Sequence, residues 1–396
     1  MSSRTWPLAI ALAAAPFVVV LQNRTLAPIA LLSFAATILV AWREGWRPSR
    51  PPALLWPALI LLGWAAISAI WAPEVGRALD SVLRLGFSLA LALLAADALR
   101  DAPLSPIIPR AAALGLALGI GAALFDDVSG NALRAAVRGI SEPPATLAFG
   151  LKNAASVIAF LLPIAVFAPA VPKWTQIGLA ISGSVVVLLL PGDSAKFAVL
   201  AGLACGLAAS AKLSVTRRGL AVGVALIMLG LPWLLGAALP RDVAALPNSA
   251  AHRLLIWDFA AERIAEKPVL GWGMDSSRAI PGGTEKPDPT TLQSFGLTSD
   301  ASRSWFRQAQ LMPLHPHNLA LQVWMELGVV GAVLMALLLA MVAWNLPHAA
   351  GCGVFAAALV IAMLSYGAWQ YWWVAGLLLA AVTVSGSRSW YRAETP

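Results

Sequence analysis

The sequence predicts an all-α polytopic membrane protein with about twelve transmembrane helices and one large, partly helical periplasmic loop. Three observations carry that prediction. Hydrophobic residues make up 59% of the 396-residue chain, and mean hydropathy is +0.78. Only 12% of residues are charged, about half the share usual in a soluble domain. Apolar stretches approaching the roughly 20 residues needed to cross a bilayer recur along the chain, more than a soluble core can hide.

The spans follow from these stretches in order. Residues 6–21, 26–42, 53–71, 80–97, 107–125, 145–168, 174–191, 195–211 and 219–239 form a nine-span N-terminal bundle across 1–239. The run from Trp6 also has the features of a signal peptide, but the next hydrophobic run follows within a few residues, as in multispanning proteins. Residues 240–316 form the large loop. Spans 317–343, 350–366 and 368–385 form a C-terminal bundle that ends in a cytoplasmic tail, together covering 317–396.

Orientation is set by lysine and arginine in the short loops. With a cytoplasmic N-terminus, that side holds twelve: Arg4, Arg43, Arg47, Arg50, Arg100, Arg110, Lys173, Lys212, Arg217, Arg218, Arg388 and Arg392. The opposite side holds six: Arg24, Arg77, Arg134, Arg138, Lys152 and Lys196. Both termini are therefore expected in the cytoplasm and 240–316 in the periplasm. Trp42, Trp71, Trp174, Trp233 and Trp344 fall near span ends, as an interfacial belt requires.

Within the loop, Ser249 or Asn248 is placed to cap a helix that Pro268 stops. Leu254, Trp257, Ala261 and Ile264 fall on one face of it, expected to rest on the membrane or the bundle and to hold Arg253 above it. Residues 281–300, rich in Pro, Gly, Thr and Asp, read as a flexible excursion. Cys205 and Cys352, the two cysteines, lie in apolar stretches, which excludes a disulfide framework and a thiolate metal site. The net charge of +8 suits anionic partners or sets topology. No basic, aromatic-rich segment stands apart to bind nucleic acid.

The chemistry concentrates in "HPHNLALQVWMELG", His315 to Gly328, which holds two of the four histidines. Pro316 discourages helix at His315, and Asn318 is a plausible N-cap for the helix that follows. His317 then stands at the outer mouth of a membrane helix. Asn318, Gln322 and Glu326 recur every four residues and form one polar stripe entering the membrane. Polar groups there usually face the bundle interior or a wet cavity. Gly328 and Gly331 allow close helix packing. On spacing alone, two interfacial histidines bonded to backbone explain the pair equally well. A metal site lacks a third ligand.

Two cations stand out. Arg253 sits beside the apolar stripe near the bilayer, and a guanidinium grips phosphate oxygens through two bonds. Lys196, at the outer entrance of a span, either snorkels to the interface or faces a cavity. Asp80 and Arg84 are one turn apart and can pair, Asp126-Asp127 could bind a divalent cation, and Gly271-Trp272-Gly273 is a turn.

These residues resemble the bacterial O-antigen ligases and the related O-antigen polymerases. The shared C-terminal signature is His followed by Asn, Ser or Gln, nine residues, Gly, two residues and Gly. Here it is His317-Asn318, Leu319 to Leu327, and Gly328-Val329-Val330-Gly331. The upstream "HRLLIWDFAAERIAEKPVLGWG", with Arg253 and Trp257, is also similar, so the motif resemblance covers roughly 190–335. One departure is Ser194-Ala195-Lys196, where family members commonly carry an adjacent Ser-Arg or Ser-Lys.

The resemblance implies a GT-C-like, metal-independent and cofactor-free glycosyltransferase in the inner membrane, with its active site facing the periplasm. Its donor would be a glycan on undecaprenyl diphosphate and its acceptor a sugar hydroxyl of lipid A-core, among membrane lipids. It implies His317 as general base, with His315 orienting it or touching the acceptor. Arg253 and Lys196 would hold the diphosphate. A polymerase joining lipid-linked repeat units is the nearest alternative; the ligase is favoured because the chain shows no added specificity extension. A twelve-span secondary transporter should show repeated halves and broken helices with ionisable groups at the midplane, and neither is evident in the sequence. A non-catalytic glycolipid-binding protein would not need His317.

The orientation is checked by labelling. In a Cys205→Ser, Cys352→Ser background, a cysteine introduced by Ser294→Cys should react with a membrane-impermeant reagent in intact spheroplasts. Protection until lysis would reverse the topology.

Overall fold

The computed structural model describes residues 3–49, 54–100, 102 and 105–386, and all structural statements concern these. Arg50, Arg388, Arg392 and the first residue of the expected 53–71 span lie outside the described residues. The described chain is helical, with no strand among its elements. Each of the apolar stretches is a helix. The first eight helices are α1 (Trp6–Leu21), α2 (Leu26–Arg43), α3 (Leu55–Ser68), α4 (Val75–Arg100), α5 (Ile107–Val128), α6 (Ala132–Arg138), α7 (Leu151–Val166) and α8 (Lys173–Leu189). Next comes the long α9 (Asp193–Ala238), then α10 (Asn248–Glu266), α11 (Pro289–Ser294) and α12 (Asp300–Phe306) in the loop region. Helices α13 (Leu319–Trp344), α14 (Ala349–Leu364) and α15 (Tyr371–Gly386) complete the fold.

Among the described residues, 7 helical segments are long and apolar enough to cross a membrane, and shorter apolar helices cover Leu55–Trp71, Lys173–Leu189, Ala349–Leu364 and Tyr371–Gly386. This is a polytopic membrane architecture. The 195–211 and 219–239 stretches run together as α9, which leaves helical geometry only at Lys212 (φ −145°, ψ 78°).

Helix α7 forms the centre of the larger core. Val157, Ile158, Ala159, Phe160, Leu161 and Leu162 are all buried, so it is covered on every side, as a helix apolar all round must be. Helices α1, α5, α8, α9 and α14 pack about it. A second core joins α3, the distal half of α9, α10 and α13.

The feature that shapes the second core is a break inside α13. Gly328 adopts φ 64°, ψ −166°, and the helix is interrupted there. Interrupting a helix frees carbonyls that lipid cannot satisfy. Backbone amides of the upstream Gly-Trp-Gly turn take two of them: Trp272 N donates to Met325 O at 2.8 Å and Gly273 N to Glu326 O at 2.8 Å. Trp64 Nε1 donates to Leu327 O at 2.9 Å, and Val329 N reaches Pro268 O at 2.9 Å. The two glycine motifs, expected as a helix-packing pair and a simple turn, are thus two halves of one backbone junction. A Cβ at Gly328 would strike the backbone of Val269 and Gly271, and one at Gly271 that of Glu326.

The loop differs from expectation in three ways. Helix α10 begins at Asn248 with Pro247 at the cap position and no side-chain cap bond. Its buried face is Ala251, Leu255, Ile256, Phe259, Ala260 and Ile264, rather than the expected stripe, of which only Ile264 is fully buried. The cause is two-sided packing: Leu255 joins a small core with Phe295, Leu297 and Phe306, while Ile256 and Phe259 join the α13 core. Residues 281–300 are not a flexible excursion. Asp288 caps α11 through Thr290 N and Thr291 N, and Phe295 and Leu297 are buried.

The acidic pair is also reassigned. Asp126 accepts from Arg134 N at 2.9 Å and Arg134 Nε at 2.5 Å, both side chains being fully buried. Arg134 also donates to Leu147 O at 2.6 Å and to Asn131 Oδ1. Asp126 is therefore occupied structurally rather than open to a cation. Asp80 and Arg84 pair as expected, at 2.9 Å.

Gly328→Ala should destabilise the fold by about 1–3 kcal/mol or more, the range for a residue forced into an unsuitable backbone region. Its unfolding temperature in detergent should drop, while Gly223→Ala, where a Cβ meets nothing within 4 Å, should not lower it. Equal unfolding temperatures for the two variants would refute the junction.

Candidate active site

Pro316 lies between the two histidines, and the chain around it turns sharply before α13 begins. His317 has φ 56°, a left-handed conformation rare for a residue with a bulky side chain. Such strain persists only where surrounding contacts fix it, and they are present on each side. Trp257 Nε1 of α10 donates to Pro316 O at 2.9 Å. Asn318 caps α13, its Oδ1 accepting from Leu321 N at 3.0 Å, and its Nδ2 donates to Met363 O at 3.1 Å. The expected N-cap is confirmed, and the same side chain ties the helix mouth to the end of α14.

Hydrogen bonds fix the tautomers of both imidazoles. His317 Nδ1 lies 2.6 Å from Ser365 O. A carbonyl only accepts, so Nδ1 carries the proton and Nε2 keeps a free lone pair. Among the described residues no hydrogen bond is made to that Nε2. His317 N donates to His315 Nδ1 at 3.1 Å, so neutral His315 carries its proton on Nε2. The rings lie 4.3 Å apart between centroids. Of the two, only His317 offers a nitrogen free to take a proton at Nε2.

Both rings are held neutral. Burial, foremost, lowers the His317 pKa; the Ser365 carbonyl opposes it, and Lys152, Arg253 and His252 lower it further, to about 4. Burial, the His317 ring, Arg278 and Lys152 lower that of His315 to about 2. His252, the neighbour of Arg253, holds Gln310 O at 2.7 Å, and His348 caps α14 by accepting from Gly351 N at 3.2 Å.

Arg253 is brought to His317 as the sequence suggested, and among the described residues it forms no ion pair. Lys152 is the cation that sequence reasoning passed over, having counted it only toward topology. It stands at the start of α7, its Nζ 5.6 Å from the Tyr366 ring centroid. Tyr366 is held in turn by Asn153 Oδ1 at 2.9 Å and Ser156 Oγ at 3.0 Å. The only sequence signal was a Lys-Asn pair heading an apolar span. Lys196 sits one turn into α9 and pairs with Asp193 at 3.2 Å. Asp193 acts electrostatically on both Lys152 and Arg253, so Lys196 belongs to the rim of the group rather than to its centre.

The polar stripe is a clamp. Glu326, fully buried, accepts from Asp275 N at 2.7 Å, Gln322 Nε2 at 3.0 Å and Trp369 Nε1 at 2.6 Å, and from Ser277 Oγ. Gln322 Oε1 accepts from Ala368 N at 2.8 Å. Asn318, Gln322 and Glu326 thus bolt α13 to residues 363–369, the segment whose Ser365 carbonyl orients His317. Glu326 also binds the 275–277 turn. A buried carboxylate with so many donors is satisfied.

This arrangement can remove a proton from a hydroxyl at Nε2 of His317 and hold negative charge beside it. Residues 145–336, from the start of the Lys152 span through the Gly-x2-Gly element, match the family model described as O-antigen ligase. That segment is just under half of the chain, and it makes the protein similar to the O-antigen ligases over that stretch. It is similar to the protein named "Putative polysaccharide ligase" from Rickettsia conorii, 35% identical over 146 residues, 34% of this chain and 32% of that one. Relatives of the same description from Rickettsia felis and Rickettsia typhi are 34% identical over 146 residues (34% and 32% of the two chains) and 36% over 135 (32% and 29%). The match spans about a third of the length of these curated relatives. The His-Asn-x9-Gly-x2-Gly element lies within the matched segment, and its parts supply an imidazole with a free Nε2, a helix cap and a backbone junction.

The two candidate lysines are separable by titration. In histidine-labelled protein followed by NMR, His317 should remain neutral until near pH 4. Lys152→Gln removes a positive charge that opposes imidazolium, so the titration should move to higher pH. Lys196→Gln should leave it in place. The opposite ranking would make Lys196 the inner cation.

Proposed function

We propose that the protein transfers a glycan from a lipid diphosphate, of the undecaprenyl type, to a sugar hydroxyl of lipid A-core at the periplasmic face of the inner membrane, across a twelve-span bundle. The observation that carries this reading is His317: its Nδ1 is committed to Ser365 O, and its Nε2 is free beside Lys152 and Arg253. The acceptor hydroxyl gives its proton to Nε2 as its oxygen attacks the anomeric carbon, and the bond from that carbon to the diphosphate oxygen breaks. The leaving diphosphate gains negative charge, which Arg253 and Lys152 stabilise, with Lys196 contributing from the rim. Its charge also counters the cations that depress the imidazole, raising its pKa toward the working pH once donor is bound. His315, with its Nε2–H, donates to the acceptor or its neighbouring oxygen.

With protein cations at the leaving group, no metal is required by this scheme. A ligase and a polymerase share every step of it; the acceptor distinguishes them, so the assay offers purified protein a lipid-diphosphate glycan donor with either lipid A-core or a second donor molecule.

His317→Ala should abolish transfer while insertion and accumulation remain normal; near wild-type turnover would remove it as the base. Arg253→Lys keeps the charge but loses the bidentate fork. It should slow transfer about tenfold to a thousandfold, corresponding to roughly one to a few kcal/mol of transition-state stabilisation. Activity should survive EDTA, and rescue of an EDTA-inhibited enzyme by magnesium would refute the metal-free scheme.

A further inference from the structure

The imidazole pair has a second polar side. A cavity of about 350 Å³ opens beside His315, with Arg77 and Arg84 of α4, Arg278, Gln322 and Tyr371 in its wall. Lys152, Arg253 and His317 are not part of that wall. Arg77 and Arg84 are neutralised locally by Glu74 at 2.8 Å and Asp80 at 2.9 Å, whereas Arg278 forms no ion pair among the described residues. Asp275 also faces the cavity, accepts from Ser81 Oγ at 2.7 Å and acts electrostatically with Arg278 and Arg77. Three arginines against Asp80 and Asp275 leave the wall with a net positive charge, a pattern suited to phosphate or carboxylate.

The cavity does not end in polar surface. At Leu85 and Trp369 it meets an apolar groove of about 360 Å³ whose wall includes Leu61, Leu62, Leu89 and Leu93. On α4 the groove extends from Leu85 to Ala96, about 16 Å of helix at 1.5 Å per residue, or roughly half the hydrocarbon thickness. A further apolar cavity of about 280 Å³ shares Leu339, Val342 and Leu378 with it. A cationic head chamber continuous with a hydrocarbon slot matches an amphiphile, and basic pockets between membrane helices are where anionic lipid heads bind.

We infer that this chamber and groove seat the second lipid of the reaction, a glycolipid whose sugars carry phosphate or carboxylate. Its anionic head lies on Arg278, Arg84 and Arg77, and its hydrocarbon lies against Leu89 and Leu93. A hydroxyl then passes His315 to reach His317, so the two substrates approach the imidazoles from opposite cation groups. Its role as acceptor rests on the proposed transfer reaction; its binding does not.

The test measures binding of two probes, lipid A and undecaprenyl diphosphate, to the full-length protein in nanodiscs. The double variant Arg278→Gln, Arg84→Gln should weaken lipid A binding about tenfold or more and leave undecaprenyl diphosphate binding unchanged. Leu89→Trp, which fills the groove, should weaken lipid A binding with both arginines intact. Arg253→Gln should show the reverse selectivity. Unchanged lipid A affinity in the double variant and in Leu89→Trp would overturn the inference, as would loss of undecaprenyl diphosphate binding in the double variant, which would place the donor here. If lipid A binding follows these residues but no glycan is transferred, the seat stands and the transfer reaction fails.

Discussion

The interruption of α13 at Gly328 is the constraint on which the site depends. A membrane helix that loses its ladder must find donors within the protein, and here the 268–273 backbone supplies two while Trp64 supplies another. That requirement brings the end of the α10 region against the middle of α13 and fixes their depth. Arg253, at the start of α10, and His317, before α13, then have a defined separation set by main-chain bonds. Backbone bonding of this kind tolerates little drift, because no side-chain rotamer can absorb it.

The second level of organisation runs through the segment between α14 and α15. Ser365 O sets the His317 tautomer, Met363 O holds Asn318, Ala368 N holds Gln322 and Trp369 Nε1 holds Glu326. Four positions between 363 and 369 thus register the polar face of α13. The orientation of the His317 ring is consequently a property of the C-terminal bundle, while the cations that lower its pKa arrive from α7 and α10. Neither part builds the cluster alone.

Much of this was legible in the sequence where the signal is local. Apolar length located the membrane helices, Asn318 declared itself as a cap, and Asp80 and Arg84 paired at one-turn spacing. What escaped depended on distant chain. Lys152 joins His317 across 165 positions of sequence, through a tyrosine ring that carries no motif. Gly328 and Gly271 each look like ordinary small residues until their backbones are seen to lie on one another. The buried face of α10 was misplaced because periodicity describes a helix covered on one side, and α10 is covered on two. Residues 281–300 carry the composition of a flexible segment, but Phe295 and Leu297 anchor it, and two apolar side chains are too few to register as a pattern.

The Asp126–Arg134 pair has a consequence for how the chain is made. Its partners are separated by 8 positions, so they meet by closing a short loop, with little entropy to overcome. Removing either partner would strand a buried charge. During synthesis, the end of α5 and all of α6 emerge together, and the acid and base can neutralise one another before α7 and the C-terminal helices exist. The buried acid and base are therefore matched within one local segment, and assembly of the central helix does not have to wait for a remote counter-ion.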